Sequence, residues 1–339
     1  MSKNILLKAL GVLVIVASAL LFIVNLKQMV NRTDKIKETI RIRITNAYES
    51  FQLQHYPMLY EALSEIYDKV IITKDGEKYD LIINTAFRNK KLDDNKTPKI
   101  FITSEVVWPN QADSKKLEIV KVTPDKYDLS IGYDYLDHPK YMRIPLYYIF
   151  YTNKISTNFK RGNCNPNKKY FACFMVSNEG WNQFNDGCKL RNRIFHKLSL
   201  YKKVESGGKY LNTTNGPIPS SLDKDFFAQC KFVINYENQT YPGYNTEKLA
   251  QGYINGAIPI YYSHPIGLRE INKDAIIFAG DFESEDTLVE YVKKLDNDND
   301  LYCKKYNKHL IIDEQKNYSV LKEKLKERIK KILETTQEK

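Results

Sequence analysis

The chain has 339 residues, of which 42% are hydrophobic and 25 are tyrosines. This composition excludes a disordered chain and leaves room for two domains of ordinary size. The formal net charge of +11 favours an anionic partner, such as nucleic acid, a membrane surface or a phosphorylated small molecule, without choosing among them. The basic residues are spread along the chain and concentrate only near its two ends, so a solvated basic surface is the simplest interpretation.

Residues 5–26 are almost wholly apolar and long enough to span a bilayer as a helix. A cleaved signal peptide is the competing interpretation, because residues 17–19 (Ala-Ser-Ala) resemble a cleavage site. The apolar run continues to Val24, longer than a usual signal core, and therefore favours a retained anchor over residues 1–26. Polar residues 27–39 are predicted to form a stem. Basic residues flank the span on both sides, so charge does not fix its orientation.

Strand and helix signals alternate along the next part of the chain, which predicts a parallel sheet with helices on its faces. Residues 40–150 are interpreted as a first α/β lobe. Strands are predicted at residues 40–44, 79–83, 100–103 and 127–133, with a helix at 57–67.

Residues 151–170 are rich in Asn, Lys and Gly and are predicted to link this lobe to a second one over residues 171–312. Strands are predicted at residues 171–176, 232–236, 258–262 and 275–278, and helices at 190–200, 246–255 and 288–295. Residues 313–339 form a basic C-terminal helix with apolar residues every four positions, which we expect to dock on the core rather than to lie on a membrane. Two such lobes place a ligand cleft at the carboxyl ends of their strands, typical of nucleotide-binding proteins.

Five cysteines occur at positions 164, 173, 188, 230 and 303, without a C-x-x-C pair or a histidine cluster, which argues against a zinc site. The closeness of the first three allows one disulfide among them in an oxidising compartment, and the odd count leaves at least one cysteine unpaired. The acidic run 296–300 lacks the Gly and the closing Glu of a calcium loop and is interpreted as a solvated turn.

The most informative stretch runs from residue 236 to residue 265. A predicted strand ends at Tyr236, and a predicted helix begins at Thr246, whose hydroxyl suits an N-cap. We expect this helix N-terminus to present free backbone N–H groups that suit a phosphate. Lys248 is unfavourable to the helix dipole unless an anion lies between them, and Glu247 is suited to accept hydrogen bonds from sugar hydroxyls. A solvated Glu–Lys pair on a surface helix is the competing interpretation.

This stretch resembles the signature of the α-1,3-fucosyltransferases of glycosyltransferase family 10, and is closest in look to the bacterial members. Residues that match in the same order are Glu237, Asn238, Tyr244, Thr246, Glu247, Lys248 and Pro259. The similarity extends over about residues 40–310. The chain departs from the pattern at Tyr236, at Asn245, which replaces an aliphatic residue, and at residues 263–264, where a Gly is common.

Two further residues are assigned by local resemblance. Residues 190–195 are similar to the helix that supplies the family's phosphate-binding arginine, which falls on Arg191, with Arg193 as the alternative because an insertion precedes it. Residues 101–106 resemble the segment with the proposed general base, which falls on Glu105.

The resemblance implies two Rossmann-like lobes of the GT-B type, with the acceptor on the first lobe and GDP-fucose on the second. It implies inverting transfer of L-fucose to a glycan hydroxyl, O3 of a GlcNAc- or glucose-type residue. Arg191 and Lys248 would bind the diphosphate, Glu247 and Tyr244 the fucose, and Asn238 would position the donor. No essential metal or further cofactor is expected, and no nucleic-acid partner.

The same resemblance implies a single-pass type II membrane protein, in the Golgi apparatus if the host is eukaryotic. Two alternatives stay open on sequence alone. The first is a GT-B glycosyltransferase that uses a different nucleotide sugar. The second is a non-enzymatic, membrane-tethered module that binds glycans.

Overall fold

The structure is a computed structural model that describes residues 37–88, 94, 96–106, 122–150, 155–180 and 186–337. The predicted anchor and most of the predicted stem lie outside these residues. Within the part that is described, no helix is both long enough and apolar enough to cross a membrane. The anchor therefore stays a prediction.

The first lobe contains a parallel sheet of six strands in the order β2-β1-β3-β4-β5-β6. Its strands are β1 (Lys37–Thr45), β2 (Tyr67–Ile72), β3 (Leu81–Thr85), β4 (Lys99–Ile102), β5 (Leu129–Gly132) and β6 (Tyr141–Arg143). The four predicted strands of this lobe are confirmed, whereas β2 and β6 were not predicted. Strand β2 follows helix α1 (Pro57–Ile66) without a break and lies at the sheet edge, so its sequence shows no alternation of apolar and polar residues.

The second lobe contains a parallel sheet of five strands in the order β11-β10-β9-β7-β8. These are β7 (Tyr170–Phe174), β8 (Val204–Ser206), β9 (Cys230–Tyr236), β10 (Ile258–Tyr262) and β11 (Ile277–Phe278). The helices that follow α1 are α2 (Tyr147–Phe150), α3 (Asp186–Ser199), α4 (Asp223–Ala228), α5 (Glu247–Ile254), α6 (Glu285–Asn297), α7 (Asn299–Tyr306) and α8 (Tyr318–Gln337). The predicted parallel α/β architecture is confirmed, although β8, α4 and α7 were not predicted.

The two lobes meet through a buried charge pair. Arg143, at the end of β6, lies 2.9 Å from Glu270 of the second lobe, and both side chains are largely buried; the contact lacks the alignment of a hydrogen bond. The guanidinium of Arg143 also lies 4.3 Å from the ring centroid of Tyr135, whose hydroxyl donates to the Ile266 carbonyl at 3.2 Å. Burial of both charges makes separation of the lobes costly, because Arg143 would lose its carboxylate partner.

The C-terminal helix α8 returns to the first lobe, although it follows the second lobe in sequence. Leu325 and Ile329 are fully buried in the core that also contains α1. Lys326 pairs with Glu65 of α1 at 2.9 Å, and Arg328 donates to the Tyr141 carbonyl at 2.6 Å. The helix thus occupies the docked position that its apolar stripe predicts.

The cysteines pair differently from the expected grouping. Cys164 bonds to Cys303 and Cys173 bonds to Cys230, so the first pair joins the inter-lobe segment to α7 and the second joins β7 to β9. Cys188 is buried and free. A disulfide among the three cysteines that lie close in sequence is therefore wrong, because the fold brings together residues far apart in the chain.

The acidic run after residue 295 is also different from its predicted form. Asp296 is buried at the end of α6, where its carboxylate lies 2.9 Å from the Lys231 ammonium and also pairs with Lys202. Asp298 accepts a hydrogen bond from the Leu301 backbone N–H and thereby caps α7. Residues 297–300 are exposed as predicted, but the run is not a turn: it ends one helix and begins the next, and the Asp296 side chain is buried.

Candidate active site

The carboxyl ends of β4 and β9 supply the polar residues between the lobes. Glu105 follows β4, and the loop from Glu237 to Thr246 follows β9. The loop reaches the first lobe through Tyr244, whose ring lies 5.5 Å from that of Tyr133. In parallel sheets the strand ends on one edge define a binding crevice, and here both sheets contribute to the same one.

A buried carboxylate organises the loop. Glu237 is fully buried and accepts hydrogen bonds from the Thr246 backbone N–H and hydroxyl, both at 2.7 Å, and from the Tyr261 hydroxyl at 2.9 Å. Burial raises the pKa of Glu237, while nearby Lys248 opposes this shift. The sequence motif includes Glu237, but no role was predicted for it. Its role is to fix the start of α5.

Most backbone donors at the start of α5 are already occupied. The Thr246 N–H donates to Glu237 at 2.7 Å, the Lys248 N–H to the Thr246 hydroxyl at 3.4 Å, and the Leu249 N–H to the Thr246 carbonyl at 3.2 Å. The N-cap role of Thr246 is confirmed. The prediction that this helix end offers free N–H groups to a phosphate is wrong, because the protein's own side chains and backbone accept from most of them.

Lys248 is the cation of this cluster. Its ammonium lies 3.2 Å from Glu247 and 3.7 Å from Glu237, and its side chain keeps a 20% exposed fraction toward the cleft. Burial alone would lower the pKa of Lys248, but the two carboxylates outweigh it and raise that pKa. Burial alone would raise the pKa of Glu247, but Lys248 and hydrogen bonds lower it. Both groups are therefore charged, and the interpretation as a solvated surface pair is wrong.

Arg191 lies beside this cluster on the inner face of α3. It is 3% exposed and donates to the Asn238 side-chain oxygen at 2.6 Å and to the Asn178 carbonyl at 2.7 Å. Its Nε atom is buried and has no protein acceptor in the described structure. Arg193 instead pairs with Glu285 at 2.8 Å on the surface, with 56% of its side chain exposed. The geometry brings Arg191, and not Arg193, to the motif loop.

Gly187 explains how α3 comes so close to this loop. A Cβ atom at position 187 would lie 1.9 Å from the Glu237 carbonyl oxygen, which no real contact allows. Any larger residue would push the helix, and with it Arg191, away from Asn238. The sequence contains no local signal for this requirement, because it depends on two segments that meet only in the fold.

Glu105 is the contribution of the first lobe to this cluster of charged residues. It is partly exposed, and its backbone carbonyl accepts a hydrogen bond from the Tyr133 hydroxyl at 2.8 Å. Burial raises the pKa of the Glu105 carboxyl, Lys248 opposes the shift and Glu247 reinforces it. The carboxylate therefore lies within electrostatic reach of the second-lobe motif. Its raised pKa is typical of a carboxylate that serves as a general base.

Two departures from the family pattern compensate each other. The side-chain oxygen of Asn245 accepts from the Ser263 hydroxyl at 2.9 Å and lies 3.1 Å from the Tyr261 hydroxyl, and its amide donates to the Gly267 carbonyl at 2.6 Å. Asn245 is 1% exposed, so its polar atoms need these partners. Asn245, which replaces an aliphatic residue, and Ser263, from the pair 263–264 where a Gly is common, thus belong to one buried network.

We expect Glu237→Gln to destabilise the protein by about 1–3 kcal/mol, because the amide NH₂ would face a donor where a carboxylate oxygen accepted a hydrogen bond. Tyr261→Phe is the smaller change, since it leaves the carboxylate and both Thr246 donors in place and removes a hydroxyl that contacts Glu237 and Asn245. Denaturant unfolding of the three proteins measures the difference. Equal unfolding free energies for Glu237→Gln and the unmodified chain would contradict the structural role of this carboxylate.

Two α/β lobes with parallel sheets and a polar crevice between their strand ends define a fold of the GT-B type. A crystal structure of an α1,3-fucosyltransferase with GDP shares it, with a TM-score of 0.67 and 23% identity over 88% of this chain and 92% of the other. One with GDP-fucose gives a TM-score of 0.65 and 21% identity over 87% and 90% of the two chains.

The sequence profile described as glycosyltransferase family 10 (fucosyltransferase) C-term matches residues 165–335, and the chain belongs to this family. An α-(1,3)-fucosyltransferase of Helicobacter pylori is 25% identical over 78% of this chain and 58% of its own length. A mouse 4-galactosyl-N-acetylglucosaminide 3-α-L-fucosyltransferase 9 is 30% identical over 42% of this chain and 38% of its own. The chain thus matches less than two thirds of the length of these relatives.

Proposed function

We propose that the chain transfers L-fucose from GDP-fucose to a hydroxyl of a glycan acceptor, with inversion at the sugar carbon. The acceptor position is O3 of a GlcNAc- or glucose-type residue. The observation that carries this proposal is the cross-lobe cluster, in which Glu105 interacts electrostatically with the charged pair Glu247 and Lys248. Family membership and the relatives' names support the donor and the linkage.

Binding of the donor GDP-fucose is assigned to two cationic side chains of the second lobe. Arg191 is held by Asn238 and can grip phosphate oxygens through its fork of donors, while Lys248 adds a point charge at the cleft. Asn238 thereby positions the donor indirectly, by orienting the guanidinium. Because most backbone donors at the start of α5 are occupied, these side chains carry the phosphate binding in place of the helix end.

Binding of the fucose part of the donor is assigned to Glu247 and Tyr244. Glu247 stays ionised beside Lys248, so it suits both hydrogen bonds from fucose hydroxyls and the positive charge that develops on the sugar. Tyr244 is 9% exposed and contributes to the apolar contact with Tyr133 that holds the loop against the first lobe.

On the acceptor side, Glu105 removes the proton of the attacking hydroxyl. The hydroxyl oxygen forms the new bond to fucose C1, the bond from C1 to the phosphate oxygen breaks, and GDP leaves with the electron pair. A carboxylate whose pKa is raised by burial is a better base than an exposed one.

Arg191 and Lys248 would neutralise the charge that develops on GDP, so we expect transfer to proceed without an added divalent metal. Dialysis against EDTA should change the initial rate less than twofold in a GDP-release assay, about 0.4 kcal/mol or less in activation free energy. A large loss that added Mn²⁺ or Mg²⁺ reverses would contradict this expectation.

A single-pass type II anchor over residues 1–26, in the Golgi apparatus of a eukaryotic host, completes the proposal. The membrane span rests on the apolar run, and the orientation and location rest on the family resemblance. Resistance of the full chain to extraction from membranes at high pH, and release after deletion of residues 1–26, would support it.

The proposal is tested by a donor panel with a set of glycan acceptors that includes N-acetyllactosamine and its isomer. We expect turnover with GDP-fucose and little with GDP-mannose or UDP-sugars. Turnover with another nucleotide sugar, and none with GDP-fucose, would favour the alternative donor. Absence of saturable GDP binding would refute the enzymatic proposal and favour a glycan-binding module.

A further inference from the structure

A cavity of about 330 Å³ opens beside Glu105 on the first lobe. It lies where β4 and β5 end, and one residue of the second-lobe motif loop, Tyr241, closes its side. The described residues that line it are Thr103, Glu105, Val122, Pro124, Tyr133, Asp134, Leu136, Asp137, His138 and Tyr241.

This lining is acidic although the chain as a whole is strongly basic. It contains three carboxylates, Glu105, Asp134 and Asp137, and no lysine or arginine among the described residues, whereas the chain carries a formal charge of +11. The ring of His138 contacts the Asp125 carboxylate at 3.1 Å, so any positive charge on it is balanced by Asp125. The described lining of the cavity therefore carries negative charge, opposite in sign to the net charge of the chain.

The chemistry of the lining suits a neutral sugar. Carboxylates accept hydrogen bonds from sugar hydroxyls, and the faces of tyrosine rings and an aliphatic side chain suit the apolar faces of a pyranose. Leu136 is 44% exposed and presents such an apolar side chain to solvent. An anionic group in the same cavity would meet like charges, which raises the free energy of binding.

The two aspartates of the cavity differ in their contacts. Asp134 accepts a hydrogen bond from the Tyr241 hydroxyl at 3.0 Å and so helps to hold the motif loop against the first lobe. Asp137 is the exposed aspartate of the lining. A change at Asp137 therefore alters the charge that an incoming acceptor meets, while the contact between the lobes is kept.

We propose that this cavity binds the acceptor glycan and selects a neutral acceptor over one that carries a sulfate or carboxylate, with Asp137 as the main determinant of that selection. The proposal rests on the proposed function, since it assigns the acceptor side of the same site. It adds the charge class of the acceptor and a specificity-determining residue outside the cluster that carries the reaction.

The test compares a neutral acceptor taken from the donor-panel experiment with its sulfated counterpart, using the full chain. For each acceptor, kcat/KM is measured in the unmodified protein, in Asp137→Asn and in Asp137→Lys. Asp300→Asn is the matched control, because Asp300 is exposed on α7 of the second lobe and carries the same charge. GDP affinity is measured in parallel for every protein.

We expect the unmodified protein to prefer the neutral acceptor, with the preference reduced about fivefold in Asp137→Asn and more than about tenfold in Asp137→Lys, while Asp300→Asn leaves it unchanged. GDP affinity should stay within twofold throughout. A preference that is the same in Asp137→Lys and the unmodified protein, or an initial preference for the sulfated acceptor, would overturn the inference. If the unmodified protein does not bind GDP, the proposed function itself is refuted.

Discussion

Replacement of Glu105 by Gln should lower the rate of fucose transfer by at least about 100-fold, the usual contribution of a positioned general base. The amide keeps the size of the side chain but cannot accept the acceptor's proton. GDP affinity should stay within twofold, because the donor contacts proposed for Arg191 and Lys248 lie on the other lobe. Initial rates with GDP-fucose and isothermal titration with GDP measure the two quantities separately.

Glu77→Gln is the matched control, since Glu77 is an exposed carboxylate of the same lobe. The pH profile supplies a second readout. Burial raises the pKa of Glu105, so kcat/KM should fall as the pH decreases through that raised pKa and the carboxylate becomes protonated. The residual kcat/KM of Glu105→Gln should not show this decrease at low pH. Full activity in that variant would refute the assignment of the base.

Replacement of Arg191 by Ala should weaken GDP binding by about 10- to 100-fold, because charge-assisted hydrogen bonds to phosphate contribute roughly 1.5–3 kcal/mol. Arg193→Ala is the matched control. It removes the same side chain two positions away, where the guanidinium pairs with Glu285 on the surface. Titration with GDP should therefore show a large loss for one variant and almost none for the other.

Arg191 is also buried against Asn238, so the Ala variant is expected to lose some stability as well. Arg191→Lys separates the two effects, since it keeps the charge but loses the fork of donors. GDP affinity in Arg191→Lys should lie between that of the Ala variant and that of the unmodified chain. Equal losses in Arg191→Ala and Arg193→Ala would contradict the distinction that the structure draws between them.

Much of the fold was predictable, because most of its strands are short, buried runs of apolar residues that stand out in the sequence. The strand at residues 258–262 has the predicted bounds, and Thr246 caps the helix that follows the motif loop. Strands β6 and β8 were missed because each is only three residues long, and β2 because it follows α1 directly and is mostly exposed at the sheet edge.

The candidate site was predictable only where the motif is continuous. Residues 237–248 identify the donor lobe and its charged residues. That most backbone N–H groups at the start of α5 already have acceptors could not be predicted, because one acceptor is a carboxylate nine residues away in the chain. The choice between Arg191 and Arg193 depends on which face of α3 packs on the motif loop, and this was not known from sequence. The need for a glycine at position 187 depends on the Glu237 carbonyl that packs against it. The link between Asn245 and Ser263 joins two departures that looked independent in sequence.

The central claim is that the cleft between the lobes performs a single inverting displacement at fucose. The most direct test is to follow the reaction of GDP-fucose with an acceptor by NMR and to read the anomeric configuration of the first product formed. We predict a fucoside with a configuration opposite to that of the donor, formed together with one equivalent of GDP. A product that retains the donor's configuration, or acceptor-dependent GDP release without a fucoside, would contradict it.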